Sequence, residues 1–280
     1  MQMAESEEFD REGYLRTLTR AAAGGLLFGM PLLYTMEVWW SGFVMPWWKI
    51  LLLLLAGAVV VASFVHVEGF RRDRTLREAL WDTAVSFGLA IVIATAMLVL
   101  IGQLDGEASL REWIGKIAVE TVPVAIGVSV ARALLGETDE SSPLKEPGPL
   151  GQGLVAAGGA LFFALNVAPT EEPMIVGIHN EWWLILLLLV LMVPLSLAIV
   201  FYADFRGSHR GRREAGPVSP VLTPLGETVV SLVAALLVSA LLLWFFGRIG
   251  PGVGSAATIH QIVSLGFVAV IGSSAARLLL

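Results

Sequence analysis

Two stretches of this chain decide what it can become. Residues 50–65 (ILLLLLAGAVVVASFV) and 184–201 (LILLLLVLMVPLSLAIVF) run for 16 and 18 residues without one charged side chain. In a bilayer, ~20 apolar residues cross ~30 Å of hydrocarbon as one helix that makes all its backbone hydrogen bonds internally. Apolar segments of near-spanning length recur at about 19–40, 47–67, 79–101, 113–135, 151–168, 182–205, 225–246 and 258–280. Charged residues are 15% of the chain and hydrophobic ones 56%, whereas soluble domains carry about 25% charged residues. A soluble domain is thereby excluded. The spacing predicts an all-α polytopic membrane protein with eight transmembrane helices.

Charge sets the expected orientation, because Lys and Arg are retained on the cytoplasmic side. With the N-terminus inside, 14 of the 18 Lys and Arg fall in inside regions. The outside regions then hold Lys49, Arg111, Lys116 and Arg248. Eight of the nine tryptophans, among them Trp39, Trp40, Trp47, Trp48, Trp182 and Trp183, fall near outer span ends, the interface that indoles prefer. Residues 1–18 are polar and mostly acidic and lack the basic start, apolar stretch and cleavage site of a signal peptide. They read as a cytoplasmic segment, and the first span is expected to stay in the mature protein. The net charge of −6, with no clustered basic face, argues against a nucleic-acid partner. Cysteine is absent, which removes disulfides, thiol nucleophiles and cysteine metal sites. The polar run 136–150, rich in Pro and Gly, reads as a linker.

On either side of that linker the sequence repeats itself. Ala22-Ala23-Gly24-Gly25 recurs as Ala156-Ala157-Gly158-Gly159, at an offset of 134. Trp47-Trp48 recurs as Trp182-Trp183 at 135, and Asp82-Thr83 matches Glu227-Thr228 at 145. IGVSVARALL (126–135) matches IGSSAARLLL (271–280) at seven of ten positions. An ordered set of matches points to tandem duplication, with repeats at 19–135 and 151–280. Four spans per repeat is an even number, so both copies enter the membrane the same way round. The expectation is two parallel four-helix repeats about an axis along the membrane normal.

Acids within or beside spans are the candidate site. A carboxylate near hydrocarbon costs about 3 kcal/mol unless paired, hydrated or bound to a cation. Glu37 lies near the outer end of the first span. Its counterpart is Glu171 or Glu172, and the flanking matches leave the choice open. Together they would form an outward-facing site for a small cation or proton. Glu37 equally suits a carboxylate reaching interfacial water, and Glu171 and Glu172 suit ordinary loop acids. Glu120 lies two turns into the fourth span with Lys116 four residues earlier, so it joins the site or pairs along its own helix. The stretch 174–178 reads as a re-entrant piece or, more simply, part of a hairpin. Asp82 with Arg132, and Glu227 with Arg277, are expected to pair at the cytoplasmic ends as structural clasps; the same positions also suit the helix dipole. No enzyme motif is present among those sought, so no enzyme and no cofactor is expected.

The stretch from Arg20 to Trp40, and above all LLYTMEVWW (32–40), resembles the opening of a family of uncharacterised bacterial integral membrane proteins, known mainly from alphaproteobacteria and cyanobacteria. The resemblance implies a bacterial polytopic protein and assigns no activity and no site residue. Taken together, the sequence leads to a multi-pass protein of the bacterial inner membrane with both termini cytoplasmic. Its expected function is a transporter or channel for a small cation, proton-coupled in one version. The other reading is a non-transporting scaffold or sensor that binds lipid or a partner protein. Apart from the lipid bilayer no partner is specified, and self-association is left open.

Overall fold

The computed structural model describes the backbone of residues 2–70, 76–135, 149–207 and 224–276. It describes their side chains except at 2–16, 66–70, 76, 133–135, 149–150, 202–207 and 224. Every regular element among the described residues is a helix, and the chain divides into two compact units, Met1–Lys145 and Glu146–Leu280.

The first unit contains α1 (Gln2–Leu33), α2 (Met36–Val44), α3 (Trp47–Phe70), α4 (Leu76–Leu100) and α5 (Leu110–Leu135). Helix α5 is its core and packs against all four others. Its apolar window is 78% buried, against 28% for that of α4, so α4 turns most of its surface outward. The sequence of α5 explains this position. Small and β-branched residues surround it on every side, and Val119, Val122, Val124, Ala125, Ile126 and Val128 are all buried. Helices in lipid approach closely where side chains are small. Gly24, Gly25 and Gly29 of α1 accordingly face Ala131, Val128 and Val124 of α5, and Gly57 of α3 faces Val122. Gly42 of α2 lies against Gly115, backbone to backbone.

Between α1 and α2 the chain turns through 80°. Pro31, inside α1, lacks the amide that would continue the ladder at that point. Thr35 then leaves the helix at φ −94°, ψ 108°. Its hydroxyl donates to the Pro31 carbonyl at 2.6 Å, and its amide donates to Leu32 O at 2.8 Å. The first expected span, 19–40, is therefore two helices and not one. Helix α1 runs unbroken from Gln2, so residues 2–18 continue as helix into the first apolar segment.

The second unit contains α6 (Pro149–Leu165), α7 (Glu172–His179), α8 (Trp182–Gly207), α9 (Pro224–Phe245) and α10 (Ser255–Ala275). Helix α10 is the core here and packs against the other four. Gly159 of α6 faces Gly272 and Ala276, Phe163 packs on Gly272, and Gly177 of α7 lies on Gln261. Ser196 and Ser274 share a buried hydrogen bond at 2.8 Å. The stretch 174–178, expected within a hairpin, is helical: Pro173 starts α7 with its φ preset, and Asn180 ends it.

Six helices, α3, α4, α5, α8, α9 and α10, are long and apolar enough to cross a membrane, and the bent α1–α2 pair makes up to seven. The segment expected as the fifth span is shorter, with its apolar part at Gly151–Leu165.

Candidate functional site

Of the expected ion-binding acids, Glu120 has the unusual surroundings. It lies in α5 at 0% exposure. Neither of its carboxyl oxygens has a hydrogen-bond partner. The expected i, i+4 pairing with Lys116 is not made. Lys116 turns the other way along the helix, to Glu112 Oε1 at 2.5 Å, and donates to the carbonyl of Gln103 at 2.9 Å. Its ammonium also sits 5.5 Å from the Trp39 ring and 5.6 Å from the Phe43 ring of α2. A cation already held by a carboxylate, a carbonyl and two aromatic faces has nothing to gain from Glu120.

The neighbours of Glu120 follow from the register of α5. One turn toward its C-terminus, Val124 packs on Gly29 of α1. One turn toward its N-terminus, Lys116 reaches the rings of α2. The pairs Gly24–Ala131, Gly25–Val128 and Gly29–Val124 run antiparallel. Continuing them by one turn puts buried Leu33 level with Glu120. The carboxyl therefore lies at the level of the α1–α2 break.

Glu37 occupies the first turn of α2 and is half-buried, where a negative charge suits the helix dipole. It belongs to the same unit as Glu120. Glu171 and Glu172 are in the second unit and are exposed. Glu171 is the N-cap residue of α7 without a side-chain capping bond. The Thr170 hydroxyl, its own amide and the charge of Arg248 hold the Glu172 carboxyl below the ordinary carboxylate range. Arg248 also donates to the Pro169 carbonyl and so joins the α9–α10 loop to the α6–α7 loop.

Asp82 and Arg132 are brought together. Arg132 Nη2 donates to Asp82 Oδ1 at 2.8 Å. Its Nη1 reaches Ser86 Oγ at 3.1 Å and the Asp82 carbonyl at 3.3 Å. The guanidinium thus ties α5 to the first turns of α4. Glu227 is buried in the first turn of α9, and Arg277 lies outside the described residues. His66 and Glu68 lie outside the described side chains. Among the described residues no three metal-binding side chains cluster.

One feature that the sequence did not point to is Gln261 in α10, at 1% exposure with Oε1 unpartnered. Its neighbour His260 meets the Gly177 carbonyl through Nδ1 at 3.0 Å. Packing on the small Gly177 is what encloses Gln261.

The chain belongs to the DUF2391 family of integral membrane proteins, whose sequence model matches residues 17–280. No curated protein and no solved structure matches it.

Proposed function

We propose that this integral membrane protein moves a small cation across the plasma membrane of a bacterium, is not an enzyme, and uses Glu120 as its central carboxylate. The observation that carries this reading is a fully buried acid with both oxygens unpartnered inside a membrane helix. Such a group is expensive in hydrocarbon and marks an ion path by default. It lies, moreover, at an interrupted helix, where half-helix ends offer free dipoles to ions. Glu37 serves as the outer acid of the unit that holds Glu120, Glu171 and Glu172 are the outer acids of the other unit, and both termini face the cytoplasm.

The same reading takes the two units as copies, each a broken first span followed by three helices, for eight crossings in all. Support comes from matching contacts within each unit. Gly24 on Ala131 is matched by Gly159 on Ala276, and Phe28 on Gly127 by Phe163 on Gly272. Gly42 on Lys116 is matched by Gly177 on Gln261. These pairs share offsets of 135 and 145. The register therefore shifts by one from the 134 suggested by the Ala-Ala-Gly-Gly match, and Glu172 becomes the counterpart of Glu37. The counterpart of Glu120 is Leu265.

The test is flux into liposomes by purified protein under gradients of H⁺, Na⁺, K⁺, Mg²⁺ and Ca²⁺. Selective flux that Glu120→Gln abolishes and a Glu37→Gln, Glu171→Gln, Glu172→Gln variant slows is the expected result. Absence of flux under every gradient, from folded protein, overturns the reading in favour of a scaffold that binds lipid or a partner protein.

A further inference from the structure

The α1–α2 break sets opposite helix ends beside one another. Of the last carbonyls of α1, Met30 O, Pro31 O and Leu32 O already accept from Tyr34 N, Thr35 Oγ1 and Thr35 N, which leaves Leu33 O. Of the first amides of α2, Val38 N is given to Thr35 O, and those of Met36 and Glu37 have no intrahelical acceptor. The natural cap of α2 is diverted: Thr35 makes no side-chain capping bond, because its hydroxyl is given to Pro31 O. Glu120 stands level with this break, buried and unpartnered. A protonated carboxyl carries an O–H that a free carbonyl accepts. An ionised carboxyl only accepts, and the amides of a helix N-terminus, with its positive dipole end, are what it takes. The break offers both kinds of partner to one side chain.

We infer that Glu120 and the α1–α2 break form a proton-binding switch, in which the charge on Glu120 sets the position of the N-terminus of α2. The inference rests on the reading of Glu120 as the ion-carrying carboxylate and names the ion. A proton from water adds to the carboxylate and gives a neutral acid that stays enclosed. Loss of that proton leaves a charge that draws the first amides of α2 onto it, and residues 33–37 rearrange. A proton needs one acceptor oxygen, whereas Mg²⁺ and Ca²⁺ demand six or more oxygen ligands. Glu120 supplies a single buried carboxylate, and among the described residues no three metal-binding side chains cluster.

Other charged groups leave this role to Glu120. On α5, Lys116 is held by Glu112 and Gln103, and Arg132 by Asp82 of α4 three turns away. From α2 comes Glu37, in the first turn that would move. On α3, Lys49 lies two turns from Gly57, which packs level with Val122. Arg20 of α1 and Arg77 and Glu78 of α4 lie toward the opposite ends of their helices. Tyr34, in the break itself, is 68% exposed and turned away from the core. Leu265, at the matching position in α10, is fully buried, so a central helix of this kind packs without an acid there.

Infrared difference spectra of the reconstituted full chain between acid and alkaline pH test the inference, together with amide exchange across residues 32–43. The expected result is a protonated-carboxyl band that titrates in the wild type and is lost in Glu120→Gln. Exchange across the break should depend on pH in the wild type and not in the variant. A band that survives in Glu120→Gln, or exchange that is the same at both pH values in the wild type, overturns the switch. Should Glu120→Gln not fold, Glu120→Asp keeps the acid and must shift the band; an unshifted band is equally fatal. Titration of Glu120 without flux in liposomes retains the switch and removes transport. Flux without titration of Glu120 does the reverse.

Discussion

A buried acid that no partner satisfies lowers the stability of the helix group that encloses it, and at the residue scale this separates function from packing. Burying an unsatisfied polar group costs about 1–3 kcal/mol. Glu120→Leu, which copies Leu265, is therefore expected to stabilise the protein by a similar amount, read as a higher unfolding temperature in detergent, while it abolishes flux. A Leu variant less stable than the wild type would show that Glu120 has a partner holding it in place. The sequence identified Glu120 as a candidate and left open whether it joined the outer acids or paired with Lys116. Spacing along a helix treats Glu112 and Glu120 as equivalent partners for Lys116, four residues away on either side. The choice was made by Gln103, Trp39 and Phe43, which only the folded chain brings to the ammonium. The Asp82–Arg132 pair, by contrast, was legible because Asp82 lies within the first two turns of α4 and Arg132 in the last turn of α5, neighbouring ends of consecutive helices.

At the scale of elements, hydropathy located α3, α4, α5, α8, α9 and α10 within a few residues, since a long apolar run has one favourable fate in lipid. It missed the break in the first span. Apolar residues continue on both sides of Tyr34, and the turn depends on local bonds from Thr35 back to Pro31 and Leu32. What holds the broken segment to the core is the contact of Gly42 with Gly115, where an added methyl would meet the Gly115 carbonyl at 2.5 Å. Gly42→Ala should push α2 from α5 at a cost of roughly 1–3 kcal/mol, and weaken flux through the site at the break. Gly88→Ala in α4 meets nothing within 4 Å and should be neutral or stabilising by up to about 1 kcal/mol. Equal losses of stability in the two variants would mean that the Gly42 contact is not a tight one.

For the whole molecule, charge parity decides how many segments cross. The arginines at 71–77 and at 206–213 belong on one side by the positive-inside rule. An even number of crossings must then separate them. Helices α4, α5 and α8 make three, so the proposed eight-crossing arrangement calls for α6 as the fourth, although its 17 residues span only ~25 Å at 1.5 Å each. In that arrangement α7 would lie at the outer surface, next in sequence to Trp182 and Trp183. The same argument applied to the arginines at 11–20 and 71–77 predicts that α1 crosses before α3, with α2 turned along the interface. The absence of cysteine makes this directly testable, because each introduced thiol is the sole one in the chain. Glu107→Cys, Glu181→Cys and Val253→Cys should react with a membrane-impermeant thiol reagent in intact cells. Asp73→Cys, Ser142→Cys and Ser208→Cys should react only after the cells are opened. Labelling of Ser208→Cys but not Ser142→Cys in intact cells would place an odd number of crossings between them and remove α6 from the set of spans. The tandem-copy reading would then fail with it, since α1 and α6 would no longer do the same thing in the membrane.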